Sequence, residues 1–172
     1  MSPTLLWMLL TTATTDDPNA VPAPTPAPAA ACTDPAYRQV DFWIGAWTVQ
    51  GKAGRTVGRS RIESVLGGCA IAETWTSGSG PANDGRSLNH YQASTKQWEQ
   101  YWVDAQGGRL LLRGGLQGSA MVLASEEGAA RQRITWTPNA DGSVRQLWES
   151  SADGGATWSI AFDGLYRRAQ AE

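Results

Sequence analysis

Glu73 is the acidic residue whose neighbours suggest chemistry. In the stretch Ile71-Ala72-Glu73-Thr74-Trp75, alternation along a strand puts Ile71, Glu73 and Trp75 on one face. A carboxyl group among apolar side chains has a raised pKa and can act as a general acid or base. The alternative is that Glu73 pairs with a buried Arg or completes a polar network. If the protein is an enzyme, Glu73 is the candidate catalytic residue of an isomerase, hydratase or lyase with a hydrophobic substrate.

A pair of amide side chains falls among aromatic residues in the next two predicted strands. If Gln92 pairs with Gln97 across a turn at 93–96, Asn89 opposes Gln100 on one face. The aromatic residues on that face are Tyr91, Trp98 and Trp102. Aromatic walls with a few fixed donors and acceptors are typical of small-molecule pockets. In the alternative interpretation, the nine tryptophans fill a solid barrel, the amides bond to each other, and the domain is structural or mediates interactions.

Alternation predicts three further apolar sets on the inward face. They are Ile134 with Trp136, then Val144 and Trp148 with Gln146 between them, and last Trp158, Ile160 and Phe162. We expect the site to bind a small, largely apolar molecule. The candidate ligand-binding residues are Glu73, Trp75, Asn89, Tyr91, Trp98, Gln100, Trp102, Trp136, Gln146 and Trp148.

Several kinds of cofactor and partner are not expected. His90, the single histidine, falls on the opposite face from Asn89, so we expect it outside the barrel and not as a haem ligand. One histidine and two cysteines give no cluster at metal-ligand spacing, so neither a metal site nor a cofactor is predicted. With a formal charge of -2 and no run of basic residues, the chain lacks the pattern typical of nucleic-acid-binding proteins.

The elements that must position these residues are short strands separated by turns. From Asp41 onward, turn residues recur at short intervals and no long segment has helical periodicity. We expect an all-β fold of roughly eight to ten strands that closes into an antiparallel up-and-down barrel, because closure removes the sheet edges; a two-sheet sandwich is the alternative. The predicted strands span residues 46–51, 55–66, 69–76, 86–92, 97–104, 109–113, 120–125, 131–137, 144–151 and 157–163.

The first 31 residues differ in composition from the rest. Residues 5–10 form an apolar run that is too short to span a bilayer but compatible with a secretory signal, although no Lys or Arg precedes it. Residues 21–31 alternate Pro with Ala and Thr, which is typical of an extended tether. We therefore expect a leader and tether at 1–31, a β-barrel domain at 32–172, export to the periplasm or beyond, and no membrane span.

The two cysteines predict a covalent link at the start of the domain. Cys32 follows the tether and Cys69 ends a Gly67-Gly68-Cys69 turn. An even number of cysteines in an exported chain favours one disulfide, which would join the start of the domain to a strand. The alternative is that Cys32 is lipidated, although a lipoprotein cysteine normally follows the apolar run directly.

The start of the domain resembles lipocalin-like proteins. In D-F-W-I-G-A-W-T-V, residues 41–49, Gly45 and Trp47 match the Gly-x-Trp of the first lipocalin strand, which closes one barrel end. That resemblance implies that a basic residue of the last strand, Arg167 or Arg168, packs over Trp47 by a cation–π contact.

A second resemblance spans roughly residues 32–168. The segments D-F-W-I-G-A-W, S-R-I-E-S-V-L-G-G-C, E-T-W, S-L-N-H-Y, W-V-D and F-D-G-L-Y are similar to a bacterial family of small, uncharacterised, calycin-like domains often carried on exported proteins. This resemblance implies the barrel fold and no particular reaction.

Residues 151–158, S-A-D-G-G-A-T-W, resemble the Asp-box turn of sialidases and related β-propellers. A single copy in 172 residues is incompatible with a propeller, which needs a repeated motif. We expect a hairpin turn in which Asp153 accepts hydrogen bonds from nearby backbone and Gly154 and Gly155 adopt positive φ. The alternative is glycan binding through exposed aromatic residues near the turn.

Overall fold

The structure is a computed structural model that describes residues 32–125 and 130–170. The predicted leader and tether at 1–31 lie outside the described residues, so the division into leader and domain stays a prediction. Within the described ranges, no helix is long and apolar enough to cross a membrane.

The predicted strands are all present and form one antiparallel barrel. In chain order they are β1 (Gly45–Gln50), β2 (Thr56–Val65), β3 (Ala70–Ser77), β4 (Gly85–Gln92), β5 (Gln97–Asp104), β6 (Arg109–Gln117), β7 (Ala120–Ala124), β8 (Arg131–Pro138), β9 (Val144–Ser151) and β10 (Ser159–Arg168). Each strand pairs with its neighbours in sequence, and β10 closes the barrel on β1. The up-and-down barrel is therefore confirmed, and closure leaves neither β1 nor β10 with an open edge.

The predicted register of the β4–β5 hairpin is confirmed. Asn89 pairs with Gln100, and both side chains are buried in the barrel. His90 pairs with Glu99 on the outer face, where the His90 Nε2 lies 3.4 Å from the Glu99 carboxylate. The β2–β3 hairpin also keeps the register that short turns favour, with no shift along its length.

The prediction for the last strand is wrong in two respects. β10 continues to Arg168, beyond the predicted end at residue 163. A β-bulge between Ile160 and Phe162 also shifts the register, so that Ile160 faces solvent and is 54% exposed. Phe162 faces the interior, and the apolar set predicted for this strand is therefore split between two faces.

An N-terminal segment that the sequence did not predict covers one end of the barrel, which we call the closed end. It consists of two short 3₁₀ helices, Pro35–Arg38 and Asp41–Trp43. Trp43 is 1% exposed, and its backbone carbonyl accepts a hydrogen bond of 2.8 Å from Trp47 Nε1. The segment therefore acts as a lid whose largest side chain is buried in the core.

Two contacts fix this segment to the strands beneath it. The predicted Cys32–Cys69 disulfide is present, with 5.1 Å between the two Cα atoms, and it ties the segment to the β2–β3 turn. Gln39 Oε1 accepts a hydrogen bond of 3.1 Å from Trp98 Nε1.

The interior of the closed end is filled with apolar side chains. The guanidinium of Arg168 lies 4.0 Å from the centre of the Trp47 ring, which confirms the cation–π contact and assigns it to Arg168. Close packing of this kind leaves no room for a ligand. The buried residues of this core include Val40, Trp43, Trp47, Ile62, Ile71, Trp98, Leu112, Met121, Leu123, Trp136 and Val144.

Candidate functional site

A cavity of about 450 Å³ occupies the other half of the barrel, which we call the open end. It reaches solvent past Ser79, Asn83 and Gln106, which are exposed residues on the loops at that end. The polar lining groups are Glu73, Gln100, Gln146 and Tyr166 deep in the barrel, with Ser77 and Asp104 nearer the loops. The apolar lining residues are Val57, Trp75, Trp102, Leu110, Ile134, Trp148, Ala161 and Phe162.

Two glycines make room for two of the tryptophan rings at the cavity wall. A Cβ atom at Gly58 would lie 2.4 Å from the ring of Trp75, and one at Gly85 would lie 2.1 Å from the ring of Trp102. Cβ atoms do not approach other atoms so closely, so any other residue would displace the ring. These glycines therefore let each ring lie close to the strand beside it.

The deepest polar group of the cavity is the Glu73 carboxyl. Glu73 is 5% exposed, and its two oxygens accept hydrogen bonds from Ser60 Oγ at 2.8 Å and from Ser87 Oγ at 3.1 Å. The network continues to the amide pair, because Asn89 Nδ2 donates to Ser87 Oγ at 3.0 Å and Gln100 Nε2 donates to Asn89 Oδ1 at 2.8 Å. Glu73 thus ends a hydrogen-bonded chain that crosses three strands.

Burial raises the pKa of Glu73 to about 7, even though the hydrogen bonds from Ser60 and Ser87 lower it. The carboxyl group can therefore gain or lose a proton near neutral pH. No ion pair among the described residues includes Glu73. The two serines are its only side-chain hydrogen-bond partners in the described part of the chain, and both are neutral.

Tyr166 and Gln146 form a second polar pair in the cavity. The Tyr166 hydroxyl donates a hydrogen bond to Gln146 Oε1. Burial, and secondarily the charge of Glu73, raise the pKa of Tyr166 well above its ordinary value, so the phenol stays protonated. With Oε1 of Gln146 occupied, its Nε2 group is the donor that the pair can offer to a ligand.

The structure brings six of the ten candidate ligand-binding residues together around the cavity, namely Glu73, Trp75, Gln100, Trp102, Gln146 and Trp148. Asn89, Trp98 and Trp136 instead line a void of about 10 Å³ in the closed end. Tyr91 packs edge-on against Tyr37 of the N-terminal segment, with ring centroids 5.3 Å apart. Asn89 is linked to the cavity-lining residues through its hydrogen bonds to Gln100 and to Ser87, which in turn holds Glu73.

Sequence reasoning missed several residues of the site. Phe162 was expected on the inward face but was not among the candidate ligand-binding residues, and Tyr166 lies beyond the predicted end of β10. Ser60 and Ser87, which hold Glu73, carry no sequence pattern that would single them out, although both face the interior. Glycine within a strand, as at Gly58, is the signal that could have indicated close approach of an aromatic ring.

The turn at residues 151–158 is closed by its own side chains. Asp153 accepts hydrogen bonds from Thr157 N at 2.8 Å, from Thr157 Oγ1 at 2.6 Å and from Ser151 Oγ at 2.7 Å. These bonds, those from Thr157 first, hold the pKa of Asp153 well below its ordinary value. Trp158 donates to Gly155 O at 3.0 Å and has the Arg133 guanidinium 4.2 Å from its ring. The contacts expected for a hairpin turn are therefore present.

Within the described ranges, two further kinds of site would depend on metal-ligating groups and on the single histidine. No group of three or more His, Cys, Asp and Glu side chains there could hold a metal ion. His90 lies on the outer face and pairs with Glu99, away from the cavity, as the alternation predicted.

No protein-family model matches the chain, and no curated protein matches it either. What the structure establishes is a closed antiparallel β-barrel of ten strands, filled at one end and hollow at the other.

Proposed function

We propose that this protein is a binding protein whose open end holds a small, largely apolar molecule. The observation that carries the proposal is the cavity of about 450 Å³, which falls within the roughly 300–1,000 Å³ typical of small-molecule sites. Deep in the barrel, the polar lining residues Glu73, Gln100, Gln146 and Tyr166 are held by hydrogen bonds to other interior side chains. The other polar lining residues lie towards the loops, and the rest of the wall is aromatic and aliphatic. An apolar ligand would gain burial against the wall, and the amides would set its orientation.

The chain's other features fit an exported binding domain. A disulfide suits an oxidising compartment, and the apolar run with its Pro-rich tether suits a leader at 1–31 and a domain at 32–172. The resemblance to exported calycin-like domains supports the same proposal. We propose export to the periplasm or beyond on these grounds.

The proposal can be tested by filling the cavity. Leu110 lines it, whereas Leu111, the next residue of β6, points outward and is 45% exposed. Leu110→Trp should therefore weaken binding of the neutral fluorescent probe N-phenyl-1-naphthylamine by at least about tenfold, because the added ring takes up ligand space. Leu111→Trp makes the same change outside and should leave binding unchanged.

Two results would count against the proposal. If the wild-type protein does not bind the probe, and native mass spectrometry of protein from its own host finds no bound small molecule, the barrel is not a carrier of apolar ligands. If both variants bind the probe like wild type, the ligand lies outside the cavity. Circular dichroism of both variants checks that the barrel has folded.

A second candidate function is proton-transfer catalysis by Glu73. The observation that favours it is the pKa of about 7 of a carboxyl group that lines an aromatic cavity beside the protonated Tyr166. A group with that pKa exchanges protons efficiently at neutral pH. The substrate would be hydrophobic. In an isomerisation Glu73 would take a proton from one carbon and return it to another; in an elimination it would take the proton as the leaving group departs with its electron pair, and a hydration is the reverse of an elimination of water.

Hydrogen exchange at carbon tests this second function directly. 4-Phenyl-2-butanone in D₂O should lose its α-hydrogen signals faster with wild-type protein than in buffer, and Glu73→Gln should abolish that acceleration. Equal exchange with wild type, with Glu73→Gln and in buffer would limit Glu73 to binding or structure. Binding of the probe by the same samples separates this failure from failure to fold.

A further inference from the structure

The charges of the cavity have one sign. Among the described lining residues, the ionisable groups are Glu73, Asp104 and Tyr166, and none of the lining residues is Lys, Arg or His. Asp104 lies where β5 ends, near the loops of the open end, while Glu73 lies deep within the barrel. A ligand that enters therefore passes one carboxylate and meets another.

Glu73 lacks the cation that a buried carboxylate normally has. Its charged form is costly to bury, and in the described residues only the hydroxyls of Ser60 and Ser87 offset that cost. Buried charges in proteins are normally paired or bound to a metal ion. A cation delivered by the ligand would supply the missing partner, in a site where solvent screens the attraction poorly.

The rest of the wall suits the same ligand. Trp75, Trp102, Trp148, Phe162 and Tyr166 line the same cavity as Glu73. The faces of aromatic rings attract cations, and rings grouped around a carboxylate favour ammonium groups in particular. Gln100 also lines the cavity, and its carbonyl oxygen can accept a hydrogen bond from an ammonium group.

We propose that the ligand of this cavity is an organic ammonium ion, with an apolar body against the aromatic wall and a charged amine head at Glu73. This inference rests on the proposed binding function and names its ligand class. A carboxylic acid such as a fatty acid would put a third negative charge beside Glu73 and Asp104. A neutral molecule would leave the Glu73 charge without a partner. An organic ammonium ion is the one of these ligand classes whose charged head is attracted by Glu73 and whose apolar body is buried against the aromatic wall.

Three probes of the same shape separate these classes. They are 2-phenylethylamine, 2-phenylethanol and 3-phenylpropanoate, which share a phenyl ring and a two-carbon arm and carry a cation, no charge and an anion. By isothermal titration calorimetry at about pH 8, the amine should bind at least about tenfold more tightly than the alcohol, and the anion most weakly. Glu73→Gln should bring the amine to the affinity of the alcohol.

A matched variant controls for net charge. Glu63→Gln removes the same charge from the outer face of β2, where Glu63 pairs with Arg61 at 3.0 Å. It should keep the preference for the amine. Binding of the alcohol by Glu73→Gln confirms that this variant has folded with its cavity intact.

The preference should also depend on pH in a definite direction. An alkylammonium stays charged throughout the range from about pH 5.5 to about pH 8. Glu73, with a pKa of about 7, becomes protonated as the pH falls through that range, whereas Tyr166 stays neutral. Affinity for the amine should therefore fall more than about tenfold from about pH 8 to about pH 5.5, and that of the alcohol should not.

The possible outcomes distinguish the ammonium inference from the proposed binding function. If the alcohol or the acid binds as tightly as the amine, or if Glu73→Gln keeps the preference, the ammonium inference is wrong and the binding function stands. If none of the three probes binds but N-phenyl-1-naphthylamine does, the ammonium inference is wrong and the binding function stands. If N-phenyl-1-naphthylamine does not bind either, the ammonium inference fails together with the binding function.

Discussion

At the closed end of the barrel Trp47 and Trp136 are 1% and 2% exposed, whereas at the open end Trp75 and Trp102 remain partly exposed around a cavity. The same residue type thus fills one half of the barrel and lines the other. At the closed end, the N-terminal segment brings Trp43 onto the Trp136 ring, with the ring centroids 5.4 Å apart. Because the lid inserts the Trp43 side chain into the barrel, the space at this end is part of the core and not a pocket.

At the open end, glycine residues lie beside the tryptophan rings. Gly58 and Gly85 leave space against the strands, so the rings of Trp75 and Trp102 lie close to the backbone of the wall. The loop residues Ser79, Asn83 and Gln106 border the cavity at that end without filling it. The comparison leads us to expect that the closed end contributes most of the stability, and it supports our proposal that the open end binds a ligand.

Truncation of one tryptophan at each end should give the largest difference in stability between the two ends. Trp136→Ala removes a fully buried ring and should lower the free energy of unfolding by about 4 kcal/mol. Trp102→Ala removes a ring that borders the cavity and should cost only about 1 kcal/mol, while it weakens binding of N-phenyl-1-naphthylamine. Urea unfolding followed by far-UV circular dichroism measures both. Equal losses would mean that the open end is packed as tightly as the closed end.

Removal of the disulfide should act on the closed end alone. The Cys32–Cys69 bond closes a loop with a sequence separation of 37 residues and ties down the lid. The double substitution Cys32→Ser and Cys69→Ser should lower the free energy of unfolding by about 3 to 4 kcal/mol. Affinity for the apolar probe should stay the same at a temperature where the variant is folded. A matching loss of affinity would show that the lid also shapes the cavity.

Glu73 should give the open end a pH dependence of stability that the closed end lacks. Its pKa is about 7 in the folded protein and 4.5 in the unfolded chain. Between those values the unfolded state releases the proton first. The stability that Glu73 contributes is therefore full below about pH 4.5 and falls by about 3 kcal/mol in total until about pH 7. The other titratable group beside Glu73, Tyr166, stays protonated throughout.

Glu73→Gln isolates that contribution. The variant keeps a neutral side chain that Ser60 and Ser87 can hydrogen-bond, so it should unfold at higher urea concentration than wild type above pH 7. The difference should shrink towards pH 4.5, since the outer carboxylates titrate alike in both proteins. If wild type is the more stable protein above pH 7, the Glu73 carboxylate is a favourable part of the core, and the unpaired charge is not costly.

Much of the strand framework could be predicted from the sequence, because turn residues and alternation are local features. The pairing of Asn89 with Gln100 follows from one turn length, and the placement of Glu73 among apolar neighbours follows from alternation alone. Alternation cannot detect an inserted residue, however. Because of the bulge, Ile160 was predicted on the wrong face, whereas Phe162 faces the interior as predicted.

Local patterns also cannot tell a filled half of a barrel from a hollow one. Trp98 and Trp102 are two residues of one strand that face the same way, yet one is in the core and the other borders the cavity. The difference depends on the lid, a segment distant in sequence that covers Trp98 through Gln39. Alternation predicted which residues face the interior of the barrel but not whether they lie at its closed or its open end. For this reason only six of the ten candidate residues line the cavity.

The smallest expected effect concerns Arg168, at the rim of the closed end. Its guanidinium lies 4.0 Å from the Trp47 ring and donates to Ile44 O at 2.6 Å. Arg168→Lys keeps the charge but loses the planar group that stacks and donates together, so it should lower the free energy of unfolding by about 1 kcal/mol. Arg167→Lys, an exposed neighbour, should change it by less than about 0.5 kcal/mol. The midpoints of urea unfolding distinguish the two variants. Equal losses of unfolding free energy would mean that the stacking of Arg168 over Trp47 does not stabilise this end of the barrel.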